Sequence, residues 1–201
     1  MLVEGIKSRP VYHGIEIDPT ASRHIFALEG QGAEALLEQV GSLNEKIIAH
    51  CEVLYVAGAS AGQGCEEALA GLGARQYWQA PTQQTLLFRL RVSLSRADMG
   101  TRLYAAGREG FLGLCVKEAT DAGMDFTAVR TDHRGSLARR VQCVHCKGMS
   151  EDITVSPFQC SHCGLTLFVR DHYSRRLAAF QGVVVDAEEP GVIPPVEELY
   201  R

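Results

Sequence analysis

Residues 101–131 read TRLYAAGREGFLGLCVKEATDAGMDFTAVRT, with a β-like run on either side of a segment of helical period. The first run is Thr101–Ala105 and the second is Phe126–Thr131. Between them, apolar side chains recur at a spacing that puts them on one face of a helix: Phe111, Cys115, Ala119 and Ala122. A strand, a crossover helix and a second strand in this order predict two parallel strands covered by a helix.

The same alternation extends back along the chain to Arg23. Further strands are predicted at His24–Leu28, Val53–Ala57 and Gln76–Gln79. Two amphipathic helices are predicted from the apolar stripes Ala33, Leu36, Leu37, Val40 and Cys65, Ala68, Leu69, Leu72. A third helix should begin after Pro81, with Thr82 as its N-cap, and bury Leu86, Leu87, Leu90 and Leu94. The pattern predicts an α/β fold, Rossmann-like, with a mainly parallel sheet.

The composition describes an ordinary globular protein and excludes two classes of function. Of the 201 residues, 46% are hydrophobic and 22% charged, and the net charge is -4. Disorder along most of the chain is excluded, because the apolar content is too high for it. Binding of a polyanion by bulk positive charge is excluded as well, because acidic residues outnumber basic ones. No apolar run approaches the length of a signal peptide or a membrane span, so we expect a cytoplasmic protein that contacts no membrane.

Four of the seven cysteines form two CxxC pairs separated by 13 residues: Cys143, Cys146, Cys160 and Cys163. Two such turns, brought together by a hairpin, present four thiolates to one metal ion. Glycines at 148 and 164 suit turns that close with a positive φ. Zinc is favoured, since the spacing is typical of zinc ribbons, while a single iron or a cluster remains an alternative. His145 and His162 lie inside the turns, and we expect them to point outward.

The other three cysteines are predicted to pack in the core. Cys65 and Cys115 lie on apolar helical stripes, and Cys51 precedes a strand without an obvious base partner. A buried thiol of this kind behaves as a small hydrophobic group. We assign no catalytic residue to the chain.

Changes in composition divide the chain into three parts. Residues 1–135 are expected to form the α/β domain with an N-terminal extension, and the Gly- and Ser-containing segment His133–Arg140 is expected to be a linker. Residues 136–185 form the predicted four-cysteine zinc-ribbon module. Residues 186–201 form an acidic tail whose prolines favour an extended conformation, either loose or lying along a partner.

A glycine-rich segment from Gly58 to Gly64 lies between a predicted strand and a predicted helix. Such a loop presents backbone N–H groups to a phosphate, but its GxxxGxG spacing matches neither GxGxxG nor the P-loop. A tight strand-to-helix turn is the favoured explanation of this segment, and cofactor binding here stays unknown.

The region from Val53 to Asp132 resembles the pyridine-nucleotide half of ferredoxin-reductase-type enzymes. The resemblance lies in a strand that ends at Gly107, a following helix and a last strand that ends near an acidic residue. The family has a cysteine before this glycine and a proline after it, whereas this sequence has Ala106 and Arg108. The resemblance implies a fold of the reductase nucleotide-domain type.

Over essentially its whole length, the chain resembles the small subunit of bacterial dimethylamine monooxygenase. The resemblance is carried by SRPVY (8–12), the two CxxC pairs, VRDHYSRRLAAFQGV (169–183) and the acidic tail. It implies an NADPH- and O2-dependent N-demethylation of dimethylamine to methylamine and formaldehyde. It also implies a hetero-oligomer, in which a haem-containing subunit activates oxygen and a flavin (FMN) and [2Fe-2S] reductase subunit supplies electrons. This chain would assemble those partners, with Zn2+ on the four cysteines, and would not be catalytic alone.

Two other functions stay open on the sequence. The first is a zinc-ribbon adaptor that touches nucleic acid through Arg134, Arg139 and Arg140, although the acidic tail would repel phosphate. The second is a stand-alone reductase that binds NAD(P)H at the Gly58–Gly64 loop.

Overall fold

The computed structural model describes residues 8–58 and 64–201, and these divide into two compact units. One unit is Tyr12–Gly135. The other joins residues 8–11 to Ser136–Arg201. The sequence-based division had placed residues 8–11 in front of the α/β domain. They join the other unit because Ser8 and Arg9 bind Asp171, through the Ser8 N–H to its carbonyl oxygen (3.0 Å) and the Arg9 guanidinium to its carboxylate (3.0 Å).

The unit Tyr12–Gly135 is built on one parallel sheet. Its strands are β1 (Arg23–Glu29), β2 (Cys51–Val56), β3 (Gln76–Ala80), β4 (Thr101–Gly107) and β5 (Val129–His133). All of its strand pairs are parallel, and the spatial order is β3-β2-β1-β4-β5. This is the strand order of doubly wound Rossmann folds. Strands β2 and β3 are added on one side of β1, and β4 and β5 on the other, so the switch point lies between β1 and β4. The predicted fold class is confirmed.

Helices cover both faces of this sheet. They are α1 (Gly32–Leu37), α2 (Glu45–Ile48), α3 (Cys65–Ala70), α4 (Gln83–Leu94) and α5 (Glu109–Asp121). Successive strand residues point to opposite faces, so Phe26 and Leu28 pack with α1 and α3 while Ile25 and Ala27 pack with α4 and α5. Both faces are apolar for this reason, as in other sheets covered by helices on two sides.

Helix α4 follows its prediction most closely. The Thr82 hydroxyl oxygen caps it by accepting a hydrogen bond from the N–H of Thr85 (3.2 Å). Leu86, Leu90 and Leu94 are buried, whereas Phe88 on the opposite side is 65% exposed. The helix therefore buries the stripe that its leucine spacing predicted.

Four predicted helix or strand boundaries are wrong. Helix α3 ends at Ala70, so Leu72 lies past it, and Ala68 of the predicted stripe is exposed. Helix α1 ends at Leu37, and Val40 lies in a separate short turn, Val40–Ser42, where its side chain is exposed. Ala122 lies just past the end of α5 and is also exposed. Strand β5 begins at Val129, because the Asp125 carboxylate accepts a hydrogen bond from the Thr127 N–H (2.8 Å) and holds Phe126–Ala128 in a 3-10 turn.

The C-terminal unit is a small β structure. Its strands are β6 (Arg139–Cys143), β7 (Met149–Ile153), β8 (Val155–Ser156), β9 (Phe158–Gln159), β10 (Thr166–Ser174), β11 (Ala179–Val184) and β12 (Glu197–Glu198). Five strands form one sheet in the order β7-β6-β11-β10-β9, in which only β6 and β11 are parallel. Val141, Leu167, Val169 and Phe180 form its buried core.

The end of the acidic tail folds back onto this unit. Strand β12 pairs with β8, and the N–H groups of Leu199 and Tyr200 both donate to the carbonyl oxygen of Thr154 (3.0 Å each). Tyr200 is only 7% exposed and packs in the core of the C-terminal unit. Glu197–Tyr200 are therefore part of the folded C-terminal unit. The expectation that the tail is loose or lies along a partner is wrong for these four residues.

Across residues 8–58 and 64–201, every helix is too short or too polar to reach from one side of a bilayer to the other.

Candidate metal centre

The first cysteine pair lies in a turn at the end of β6. The N–H of Lys147 donates to the carbonyl oxygen of Cys143 (3.0 Å), and the N–H of Cys143 donates to the carbonyl oxygen of Gly148 (3.0 Å). The N–H of Gly148 also points at the sulfur of Cys146 (3.4 Å). These bonds close the chain into a compact loop that carries both sulfur atoms on one side.

The second pair repeats this construction between β9 and β10. The N–H of Gly164 donates to the carbonyl oxygen of Cys160 (2.9 Å), and the N–H of Cys160 donates to that of Leu165 (2.9 Å). Gly164 has φ 77°, and the corresponding residue of the first turn, Lys147, has φ 63°. The positive φ predicted at Gly164 is confirmed, whereas the one predicted at Gly148 falls one residue earlier.

The two turns bring the four predicted ligands together. All four sulfur atoms lie within 4.8 Å of one another. The sulfur atoms of Cys143 and Cys163 are 3.9 Å apart, and those of Cys146 and Cys160 are 3.8 Å apart. A zinc ion with Zn–S bonds of about 2.3 Å requires sulfur atoms about 3.8 Å apart in a tetrahedron. The donor set fits a metal ion of this size and preference.

Two of these thiols, Cys160 and Cys163, have pKa values shifted in opposite directions. Burial opposes ionisation of Cys160, but hydrogen bonds from the N–H groups of His162 and Cys163 and from neighbouring thiols outweigh it and lower the pKa of Cys160 to about 7. At Cys163, a backbone bond from Leu165 favours the thiolate, yet burial and the other thiols together raise its pKa to about 12. Four thiolates this close repel one another, and a divalent cation removes that repulsion.

Neither histidine of the turns belongs to the donor set. His145 is exposed. The Nε2 atom of His162 lies 2.8 Å from the carbonyl oxygen of Met149, and its ring covers Gly148, where an added Cβ would come within 2.5 Å of it. Gly148 is needed to make room for this ring, which sequence reasoning had not anticipated.

The remaining three cysteines are buried in the unit Tyr12–Gly135. Cys51 is 3% exposed, its thiol donates to the carbonyl oxygen of Ile47 (3.2 Å), and burial raises its pKa to about 11. Burial also raises the pKa values of Cys65 and Cys115. Thiols with raised pKa values are poor nucleophiles at neutral pH, so all three act as packing groups.

A second place to look for function is the carboxyl edge of the parallel sheet, between β1 and β4, where doubly wound folds bind dinucleotides. Here the Arg108 guanidinium and the Glu29 carboxylate form two parallel hydrogen bonds (3.0 and 3.1 Å). Glu29 is only 4% exposed, and its carboxylate also accepts from the N–H of Arg108 (3.3 Å). An internal ion pair therefore lies at the switch point.

Sequence reasoning missed the glycine motif of this edge. Gly30-Gln-Gly32-Ala-Glu-Ala35 has the GxGxxA spacing and follows β1 directly. At Gly32, an added Cβ would lie 2.1 Å from the carbonyl oxygen of Ala106. The close approach that this glycine permits is therefore to the end of β4. The other motif considered from the sequence, Gly58–Gly64, lies largely outside the described residues.

The arginines considered for nucleic-acid binding are committed to carboxylates. Arg134 binds Glu38 (2.7 Å) and Asp132 (3.0 Å). Arg139 is 3% exposed and binds Asp171 (2.8 Å), and Arg140 binds Glu151 (2.7 Å). These three residues do not form a free basic patch for phosphate groups.

The fold and the site define a class of protein: a Rossmann-like domain with an ion pair at its switch point, joined in sequence to a four-cysteine β module. The chain matches the family models described as "Dimethylamine monooxygenase subunit DmmA-like", the N-terminal domain over residues 4–129 and the C-terminal domain over residues 140–183. It belongs to this DmmA-like family, as its sequence predicted.

A full-length relative agrees with the family match. The chain is 30% identical over 192 residues to the "Heme-dependent oxidative N-demethylase delta subunit" of Ectopseudomonas mendocina (strain ymp). The match covers 93% of this chain and 94% of the relative. That relative is thus named as one subunit of a haem-dependent enzyme.

Two solved structures are similar to part of this chain. Phthalate dioxygenase reductase is 10% identical, with a TM-score of 0.44, and 69% of this chain covers 46% of it. Full-length CYP116B46 from Tepidiphilus thermophilus is 19% identical, with a TM-score of 0.43, and 67% of this chain covers 19% of it. This chain thus spans less than half the length of either neighbour, and the fold assignment rests on the strand order itself.

Proposed function

We propose that this chain is the assembly subunit of a haem-dependent amine N-demethylase and holds a structural zinc ion on Cys143, Cys146, Cys160 and Cys163. The observation that carries the proposal is the donor set: four thiols with the separations that a tetrahedral zinc site requires. Four protein ligands fill the coordination sphere of zinc and leave no position for a substrate. A bound zinc ion would supply cross-linking of the two turns and no redox chemistry.

The proposal assigns substrate chemistry to the partners. The complex would convert dimethylamine, NADPH and O2 to methylamine and formaldehyde, with oxygen activated on a haem subunit. Electrons would come from a reductase subunit with FMN and a [2Fe-2S] cluster, because these cofactors divide a hydride into single electrons. The delta-subunit name of the full-length relative supports a multi-subunit enzyme. We further propose that the complex works in the cytosol, where thiols stay reduced.

The proposal also assigns NADPH binding to the reductase partner. The support is the Glu29–Arg108 ion pair, which lies where the pyrophosphate of a dinucleotide binds in related sheets. A pyrophosphate group brought there would have to displace the carboxylate of Glu29, which is almost fully buried. We therefore expect the isolated chain neither to bind NADPH nor to oxidise it.

The decisive experiment is co-expression of the chain with its haem and reductase partners, followed by co-purification. Inductively coupled plasma analysis of the complex would give the metal content, and formaldehyde release from dimethylamine would give the activity. We expect about one zinc per chain and NADPH-dependent formaldehyde release by the complex only. Cys143→Ser should lower zinc content and co-purification together, because loss of one thiolate opens the metal site.

The matched control is Cys51→Ser. It removes a buried thiol outside the donor set, and the serine hydroxyl is able to keep the hydrogen bond to Ile47. It should retain zinc and assembly. Zinc loss without loss of assembly would overturn the structural role of the metal, and NADPH oxidation by the purified chain alone would overturn the assignment of the chemistry to partners.

A further inference from the structure

The amino edge of the parallel sheet, opposite the switch point, carries a basic cavity. It has a volume of about 330 Å3 and is lined by side chains from β1, β2, α4 and the segments before β2 and β3. Its charged and titratable lining consists of Arg23, His50, Glu52, Arg75, Arg89 and Arg96. A cavity of this volume accommodates a small molecule.

One of the four arginines is neutralised internally. Arg23 binds the Glu52 carboxylate (2.7 Å), and it also donates to the carbonyl oxygens of Ser93 and Arg96 (3.2 Å each). Glu52 in turn accepts a hydrogen bond from the Ser93 hydroxyl. Arg23, Glu52 and Ser93 thus bind one another at the cavity wall. Within the described part of the chain, Glu52 is the one carboxylate that lines the cavity, and it is already paired with Arg23.

The other three guanidinium groups have no such partner. Among residues 8–58 and 64–201, no carboxylate forms an ion pair with Arg75, Arg89 or Arg96. The Nε atom of Arg89 is buried and without a hydrogen-bond partner among those residues. The chain as a whole has a net charge of -4, so three positive charges without an ion-pair partner around one cavity make this region locally basic. A buried N–H group without a partner is costly, and an acceptor from outside the chain would satisfy it.

We propose that this cavity binds a small polyanion with two or more phosphate or carboxylate groups. Planar guanidinium groups donate in pairs to such groups, and three of them would match more than one negative charge. Within the described residues, the lining contains no Phe, Tyr or Trp ring on which a nucleotide base could stack, so the recognition is of charge and not of a base. The site is distinct from the switch point, because its lining lies at the opposite ends of the strands.

Isothermal titration calorimetry of the full chain with pyrophosphate and with citrate tests the proposal. We expect saturable 1:1 binding of at least one of them, weakened by added salt because the attraction is between charges. Inorganic phosphate should bind more weakly than pyrophosphate. The double variant Arg75→Gln/Arg89→Gln should weaken binding by about tenfold or more, since two charge-assisted hydrogen-bond donors are removed.

The matched control is Arg130→Gln, which removes the same charge from an exposed position where the guanidinium donates to the backbone carbonyl oxygens of Thr127 and Val129. It should leave the affinity unchanged. If the double variant does not fold, as judged by circular dichroism, Arg96→Gln takes its place, because Arg96 is exposed. Absence of binding for both anions, or equal weakening by Arg130→Gln, overturns the proposal. A third pair of results would also overturn it: the wild-type chain binds neither anion, and Arg96→Gln no longer co-purifies with its partners. The cavity would then be a docking surface for an acidic partner segment.

Discussion

Replacement of Tyr200 by alanine tests whether the end of the chain is a structural part of the C-terminal unit. The Tyr200 ring is 7% exposed, and the Arg139 guanidinium lies 4.0 Å from its centre and 4.0 Å from the centre of Phe180. Tyr200→Ala removes one of the two rings that enclose this buried cation. The Nη1 atom of Arg139 already has no hydrogen-bond partner among the described residues, so little is available to replace the lost contact.

The size of the effect follows from the two contributions that are lost. Truncation of a buried aromatic side chain to alanine costs about 3–5 kcal/mol, and a desolvated cation–π contact contributes about 1–2 kcal/mol of such a total. Tyr200 follows a strand of only two residues near the chain end, where the site is able to relax. We therefore expect the low end of the range, about 3 kcal/mol, which speeds amide exchange through opening of the unit about a hundredfold.

Hydrogen exchange of the zinc-loaded chain, read at the amides of β6 and β11, measures this change. The matched control is Leu199→Ala, because Leu199 is the neighbouring residue and is 49% exposed. The control should change the free energy of opening by less than about 0.5 kcal/mol. Equal exchange rates in the two variants would show that the Tyr200 ring contributes no packing energy and would refute the reasoning.

Three further predictions concern the α/β unit. Leu86→Ala should lower the free energy of unfolding by about 3 kcal/mol, against less than about 0.5 kcal/mol for the exposed Phe88→Ala, in urea titrations followed by the fluorescence of Trp78. Burial lowers the pKa of His24 below its usual 6.5, so the unfolded chain takes up a proton first as the pH falls below 6.5. Stability should then decline by at most about 1.4 kcal/mol per pH unit, and His24→Gln should remove that component of the pH dependence; identical slopes in both proteins would contradict this. Glu29→Gln should destabilise the unit by about 2 kcal/mol in the same urea assay, because Arg108 loses its charged partner, and an unchanged midpoint would mean that water replaces the carboxylate without cost.

Features with a local cause could be predicted from the sequence. Helix α4 has its cap and its leucine spacing within one continuous segment, and the structure follows both, with Leu87 only partly buried. The cysteine turns are equally local, because each CxxC pair and the residue after it form one loop closed by their own backbone. The four cysteines that come together could therefore be named from their spacing, although the residue with positive φ in the first turn could not.

Features that depend on distant residues escaped prediction. The Glu29–Arg108 pair joins residues 79 positions apart, and the sequence around either residue does not indicate that the other is its partner. The basic cavity takes its arginines from β1, the approach to β3 and helix α4, so no window of sequence contains it. The return of Tyr200 depends on a two-residue strand, which is too short to give an alternating pattern.

Two glycines at the switch point, Gly32 and Gly107, show how a nucleotide-type motif is compatible with close packing of the chain on itself. In a dinucleotide-binding turn, the second glycine of the motif lets the backbone approach the pyrophosphate. Here Gly32 faces the carbonyl oxygen of Ala106, and Gly107 has φ 151° with its Cα against the Glu29 side chain, where an added Cβ would lie 2.9 Å from the Glu29 Cβ. Gly32 excludes a larger residue because of packing, and Gly107 does so because of packing and its positive φ. The glycines therefore reflect how closely β1 and β4 approach each other. Access of a phosphate group to the crevice depends on the residues that fill it, Glu29 and Arg108.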